Sequence, residues 1–208
     1  MEVRLAAELP SKATFEVLIR PLSNVPATES KSLAANIRAS LEPSLLLTKN
    51  PRSLVQLVIQ SLSPFRTDIW NTNLAAAMIN ASTLSLLNAG SVPMRGVVTA
   101  VAVSKSGQGA LVVDPSDEEL ETSEGRGCFA FMFSDDNGPQ NDHCVCVWTS
   151  WSWRSLSGGS DETVVFEAQQ LAKSQAKAIN TLIRRHVAKI FRADVEEEDG
   201  SDESDMVI

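Results

Sequence analysis

The chain has 208 residues, 43% of them hydrophobic, enough to bury one sizeable core, so a single domain is the expectation. Its formal net charge is −8, yet Asp194 to Ile208 holds eight acidic residues and no basic one, leaving 18 basic and 18 acidic groups in the remainder. The acidity belongs to a tail and does not exclude nucleic acid from the rest, and no apolar run approaches the ~20 residues of a membrane-spanning helix.

Thr14 to Arg20 reads as a strand, with Phe15, Val17 and Ile19 on one face and Leu18 on the other. After a loop over Asn24 to Thr28, Glu29 to Leu46 carries Leu33, Ile37 and Leu41 at four-residue spacing, an amphipathic helix that Pro43 bends or stops. Leu54 to Ser63 is apolar on both faces, with Val55, Leu57 and Ile59 on one and Leu54, Val58 and Leu62 on the other, and predicts an interior strand. Small and apolar residues crowd Thr72 to Ala89 near helical spacing, so the helix should pack tightly on a sheet. Asn88-Ala89-Gly90 supplies its left-handed stop. Gly96 to Ser104 and Gly109 to Val113 read as strands joined by a turn at Gly107, and Gly127 to Ser134 and His143 to Trp153 as a hairpin across the polar run Asp135 to Asp142. Asp161 to Arg192 predicts a long helix capped by Asp161, with Ala172, Ala176, Ile179, Ile183, Val187 and Ile190 as its buried stripe. From Asp194 onward there is too little apolar surface to offset ordering entropy, and disorder is expected. Ser201 and Ser204 make that tail a candidate for phosphorylation or for luring basic partners, against the plainer reading of a solubilising tail.

Three cysteines, Cys128, Cys144 and Cys146, form an odd count that fits a reducing compartment. His143 beside Cys144-Val145-Cys146 hints at zinc, but successive strand residues alternate faces and no second ligand pair exists in the chain, so buried strand thiols are expected. Trp148, Trp151 and Trp153 offer either a base-stacking platform or cover for the sheet or a subunit interface, and the lone neighbouring cation, Arg154, favours cover. Arg184, Arg185, Lys189 and Arg192 gather where the long helix is expected to end and suit its dipole there. With His143 and His186 as the only histidines, no Gly-x-Ser-x-Gly elbow, no P-loop and no metal-ligand spacing, hydrolase and nucleotide-binding chemistry find no foothold.

The succession Pro51-Arg52, Gln56 and Gln60, Ile79-Asn80-Ala81, Asn88-Ala89-Gly90, Pro93-Met94, Gly96 and Val113-Asp114-Pro115 resembles the RNase PH family. Glu8-Leu9-Pro10, Arg20-Pro21 and Leu41-Glu42-Pro43 extend the likeness, which runs from about Met1 to Arg192 and is most similar to the noncatalytic ring subunits of the eukaryotic RNA exosome. The resemblance implies an α+β fold over residues 1–193, a mixed RNase PH-like sheet packed with helices 29–46 and 72–89 and the long C-terminal helix, followed by the 194–208 tail. It also implies that the first strands of the family's sheet are missing ahead of Met1, which would leave Thr14 to Arg20 with an unpaired edge and lower stability.

Phosphorolysis brings two polyanions together and needs fixed arginines or backbone N–H groups around the attacking phosphate, with carboxylates placed for metal or proton handling. In active relatives a Gly-Ser/Thr-Arg triplet grips the phosphate. The same place here reads Asn71-Thr72-Asn73, without the glycine that lets the backbone approach or the guanidinium that pairs in two-point fashion. Of two family carboxylates spaced six apart, Asp114 aligns with the first and Leu120 with the second. Glu118 or Glu119 would restore the carboxylate on a one-residue slip, but nothing restores the arginine, and Asp114-Pro115 also reads as a simple turn. An arginine pair at the start of the first helix is replaced by Thr28-Glu29-Ser30-Lys31.

The resemblance therefore implies no catalytic residue, cofactor or metal. It implies a structural subunit that pairs with a second RNase PH-type chain in a six-membered ring, with RNA-binding cap subunits and a separate nuclease toward which RNA threads. The setting would be rRNA maturation and RNA turnover in nucleus, nucleolus and cytoplasm. Lys31, Arg66 and Arg95 are the candidate RNA phosphate contacts. Two alternatives stay open: a residual phosphate-dependent 3′-to-5′ exoribonuclease, and a shortened regulatory or nonfunctional isoform.

Overall fold

A computed structural model describes residues 8–22, 28–62, 71–134, 143–154 and 162–202, with side chains of the last segment described as far as Ile190. The elements in chain order are β1 (Thr14–Arg20), α1 (Thr28–Leu41), two short 3-10 turns, β2 (Leu54–Gln60), α2 (Thr72–Ala89), β3 (Val97–Lys105), β4 (Leu111–Val113), α3 (Asp117–Thr122), β5 (Gly125–Ser134), β6 (His143–Trp153) and α4 (Glu162–Asp202). This is the expected α+β architecture.

β1 and β2 pair in parallel, Thr14 opposite Leu54 through Arg20 opposite Gln60, while β4-β3-β5-β6 form an antiparallel sheet. That sheet is buried on both faces. Val98, Ala100, Ala102, Cys128 and Ala130 point toward α2, α1 and the β1–β2 pair, joining Phe15, Ile37, Leu41 and Ile79 in one cluster. Val101, Val103, Phe129, Phe131 and Phe133 point the other way and pack against Ala168, Ala172 and Ala176 of α4. Alternation along β3 and β5 thus feeds two cores from one sheet. The alanines of α2 and α4 let each helix backbone approach closely.

Several expectations need correction. β2 has β1 as its only strand partner among the described residues, and Val58 is 43% exposed, so it is not an interior strand there. An apolar run reports what covers a strand's faces and is silent about its lateral neighbours. The β3–β4 turn lies at Gly107 as expected, with Gly109 taking a positive φ (87°) and its N–H donating to the Ser106 carbonyl at 2.8 Å. α1 ends at Leu41 and passes into a 3-10 turn over Glu42–Ser44 containing Pro43, as the proline dictates. Gly90 takes the left-handed cap (φ 62°) at the end of α2.

α4 departs furthest. Its backbone stays helical to Asp202, past the boundary set at Asp194, because glutamates are good helix formers and propagation from a packed helix adds one hydrogen bond per residue fixed. Consequently Arg184 and Arg185 are not in its last turn, and the dipole explanation for them fails. Ala168 and Asn180 join the buried stripe, whereas Ile190 is 60% exposed, since the helix has run beyond the sheet that covers it.

One side chain ties the layers together. The carboxamide of Asn80 in α2 accepts from the Ala100 N–H at 2.7 Å and donates to the Ala100 carbonyl at 2.9 Å, completing the edge of β3 where β4 does not reach. Asn80→Ala leaves a buried main-chain donor and acceptor unmet and should lower unfolding free energy by about 2–4 kcal/mol in a urea titration. Burial pushes the Cys128 thiol from its ordinary 9.0 up to about 12. Its contribution is whole below the unfolded value and is lost as pH rises through the folded one. Melting temperatures measured from pH 8 to 11 should therefore fall more steeply for the native chain than for Cys128→Ala.

Candidate functional site

The N-terminus of α2 meets the turn between β4 and α3, and this corner gathers the positions singled out in the sequence. Asn71 is the N-cap, its side-chain oxygen accepting from the Leu74 N–H at 3.0 Å, as a short polar residue ahead of an apolar helix should. Thr72 is wholly buried, its hydroxyl without a partner. The Asn73 amide donates to the carbonyl of Pro115, and its own carbonyl oxygen is buried and unpartnered.

Across from it, Asp114 sits in the left-handed region (φ 51°), its N–H donating to the Ala102 carbonyl at 3.0 Å, just beyond Asn80 on the same edge of β3. Its carboxylate belongs to an exposed residue. Ser116 and Glu119 then form a capping box for α3: the Glu119 carboxylate accepts from the Ser116 N–H at 2.8 Å, and the Ser116 hydroxyl from the Glu119 N–H at 3.3 Å. Leu120 turns inward and is 3% exposed. Glu118 is exposed and Glu119 is engaged by the cap, so neither takes the place that Leu120 fills.

The chemistry of this corner follows from its donors and acceptors. A helix N-terminus favours an anion through its free N–H groups and dipole. Here the cap oxygen of Asn71 occupies one of those donors, and the Asn73 amide spends its hydrogen on Pro115. The Asn73 carbonyl and the Thr72 hydroxyl are buried without partners, and the described side chains of Asn71–Asn73 and Asp114–Leu120 include no cation.

The three candidate RNA contacts are not brought together. Lys31 lies in the first turn of α1 and lines a groove of about 450 Å³ beside β1, with Glu16, Arg20 and Arg38. Arg95 is exposed beside the far end of α1, its N–H donating to the Ser44 carbonyl at 2.8 Å. The stretch of α1 from Lys31 to Leu41, about 15 Å at 1.5 Å per residue, and the 3-10 turn after it separate the two. Arg66 lies outside the described residues.

The tryptophans cover the sheet. Trp148 packs against the α2-side cluster, and Trp151 stands on the α4-side face 6.0 Å from Phe129. Trp153 meets Trp151 edge-on at 5.6 Å, with the Lys105 ammonium 5.5 Å from its ring centre. Gly125 and Gly127 face these two rings, where a Cβ would collide with them. Of the cysteines only Cys128 is fully buried. Cys144 and Cys146 are half-buried, a correction that follows from β6 being the outer strand of the sheet.

Sequence reading missed three contributors: the Pro115 carbonyl that receives Asn73, the carboxamide of Asn80, and the α3 capping box. The last was signalled by Ser116-Asp117-Glu118-Glu119, which has the spacing of such a box ahead of an apolar Leu120. The other two depend on contacts distant in sequence and carried no local signal.

No protein-family model matches the chain. Exosome complex component rrp46 of Schizosaccharomyces pombe is 38% identical over 90 residues, 43% of this chain and 38% of that relative, so the match spans well under half of that protein. Exosome complex component RRP46 of Saccharomyces cerevisiae is 26% identical over 187 residues, 89% of this chain and 80% of the relative. Among solved structures, rice (Oryza sativa) Rrp46 superposes with a TM-score of 0.65 at 19% identity, covering 85% of this chain and 75% of the other, which shows a shared fold.

Removing the cap in Asn71→Ala should lower stability by about 1 kcal/mol in chemical denaturation. Asn73→Ala, which severs α2 from the β4–α3 turn, should cost a comparable ~1 kcal/mol.

Proposed function

Taking the chain as an RRP46-like protein of RNase PH fold, we propose that it is a noncatalytic structural subunit of an exosome ring that supports 3′-to-5′ RNA processing and degradation. The observation that carries the reading is the inward turn of Asn73: the loop that would grip phosphate donates its amide hydrogen to Pro115 instead. Burial of Leu120, in the place of a second carboxylate, points the same way. In-line attack by phosphate on a ribose-linked ester needs positive charge held at the developing anion, and Asn71–Asn73 and Asp114–Leu120 supply no lysine or arginine for it.

On this reading the chain pairs with another RNase PH-type subunit, three such pairs close the ring, and RNA-binding cap subunits and a separate nuclease complete the assembly. Lys31, Arg66 and Arg95 then make loose phosphate contacts along the RNA path. rRNA maturation and RNA turnover in nucleus, nucleolus and cytoplasm are the matching setting.

A second reading, residual phosphate-dependent exoribonuclease activity, is favoured by one observation, the exposed Asp114 carboxylate beside the N-terminus of α2. A radiolabelled RNA incubated with the chain and inorganic phosphate separates the two. The expected outcome is no phosphate-dependent release of nucleoside diphosphate, with Asp114→Ala indistinguishable from the native chain, together with co-purification of RNase PH-type partners. Diphosphate release that disappears in Asp114→Ala would establish the enzyme instead.

A further inference from the structure

A basic surface lies at the opposite end of α2 from the candidate corner. The helix carries the chain about 27 Å at 1.5 Å per residue, and after Gly90 it meets the segment that joins α1 to β2. The Leu46 N–H donates to the Pro93 carbonyl at 2.9 Å, the Ala13 N–H to Leu47 at 2.9 Å and the Arg52 N–H to Leu9 at 3.3 Å, which draws residues 8–13, 44–53 and 93–95 together. Lys12, Arg38, Lys49, Arg52 and Arg95 stand on this end, and two carboxylates answer them. Glu42 lies 3.6 Å from the Lys12 ammonium and 3.4 Å from the Arg38 guanidinium, and Glu8 lies 3.5 Å from Arg52. Such exposed pairs contribute little and open readily to a stronger anion. Lys49 and Arg95 are exposed, with no ion-pair partner among the described residues. Residues 1–7 add one glutamate and one arginine, leaving the balance unchanged.

Arg52 is kept there against its backbone. Its φ of 59° is left-handed, and after a turn proline that position ordinarily takes glycine or asparagine, because a longer side chain is strained. Its side chain is 71% exposed, so burial does not offset the strain. We propose that this basic end binds the phosphodiester backbone of an RNA strand, at a surface separate from the α2 corner. Leu41, Leu45 and Leu47 turn inward, which leaves charge and not apolar anchoring to hold a partner, and guanidinium groups suit phosphate oxygens in two-point fashion. The helical backbone from Asp194 onward does not neutralise this end. Ala176 meets Thr99 through the Thr99 hydroxyl at 3.2 Å on the other face of the sheet, and Asp194 lies about 27 Å further along α4, against about 13 Å of chain from Thr99 to Arg95. The difference exceeds the ~8 Å screening length at physiological salt. The affinity for a polyanion stands on the surface itself, whereas its assignment to RNA rests on the function proposed above.

Fluorescence anisotropy of a labelled oligouridylate, titrated with the full chain across a salt series, tests the surface. In Lys49→Gln/Arg52→Asn the affinity is expected to fall several-fold, and the slope of log affinity against log salt to shrink by about 1.4, ~0.7 for each phosphate contact to a single strand. Lys173→Gln/Arg185→Gln removes the same charge from exposed positions on α4 and should leave the slope as it is. An equal loss there would assign the attraction to net charge and overturn the surface. Arg52→Asn alone should raise the melting temperature while it weakens binding, since asparagine tolerates the left-handed turn. A lower melting temperature would make Arg52 a structural residue and remove it from the site. Displacement of the oligouridylate by polyglutamate as readily as by unlabelled RNA of matched charge assigns the surface to an acidic protein segment and overturns the RNA source. An unchanged slope in Lys49→Gln/Arg52→Asn removes the surface altogether. These readings are independent of nucleoside diphosphate release and of co-purifying ring partners, so the two proposals fail separately.

Discussion

The fold depends on how the exposed edge of β3 is closed. β3 is the spine of the molecule, buried on both faces, yet β4 pairs only with Val103 to Lys105. Unpaired peptide groups in that setting would cost far more than the net worth of a hydrogen bond. Asn80 supplies a carboxamide in place of a neighbouring peptide group at Ala100, and the Asp114 N–H serves the next carbonyl at Ala102. Those two contacts fix α2 and the β4–α3 turn against the same stretch of strand. The meeting of Asn71–Asn73 with Asp114–Pro115 follows from them.

That closure is reinforced by the corner's own contacts. The Asn73 amide stitches the start of α2 to Pro115, the capping box holds α3 in line, and Leu120 plugs the space beneath.

Much of this could be read from the residues. The α2 bounds, its Gly90 stop and the β6 span came from spacing and punctuation, because these are set by short-range sterics. The α+β class and the location of the candidate corner came from the order of motifs. What escaped depends on neighbours far along the chain. The lateral position of β2, the length of α4 beyond its cover and the partner of Asn73 are of this kind. β6 shows the limit most clearly. Plain alternation would set Trp148 on the face of Cys144 and Cys146, but the strand gains one residue at Val147, where Trp148 opposes Ala130 and Cys146 opposes Phe131. One inserted residue exchanges the faces of everything after it, so Trp148 packs toward α2 and Trp151 toward α4.

The irregularity at Val147 has a consequence for solubility. β6 is the longest strand, apolar over much of its length, and lies on the rim of its sheet, where a straight ribbon of peptide groups would invite growth into cross-β fibrils. The bulge bends the ribbon and breaks the regular spacing of its outward groups. A second molecule could match only a few residues on either side of Val147 before falling out of step, which guards the chain against amyloid-like stacking.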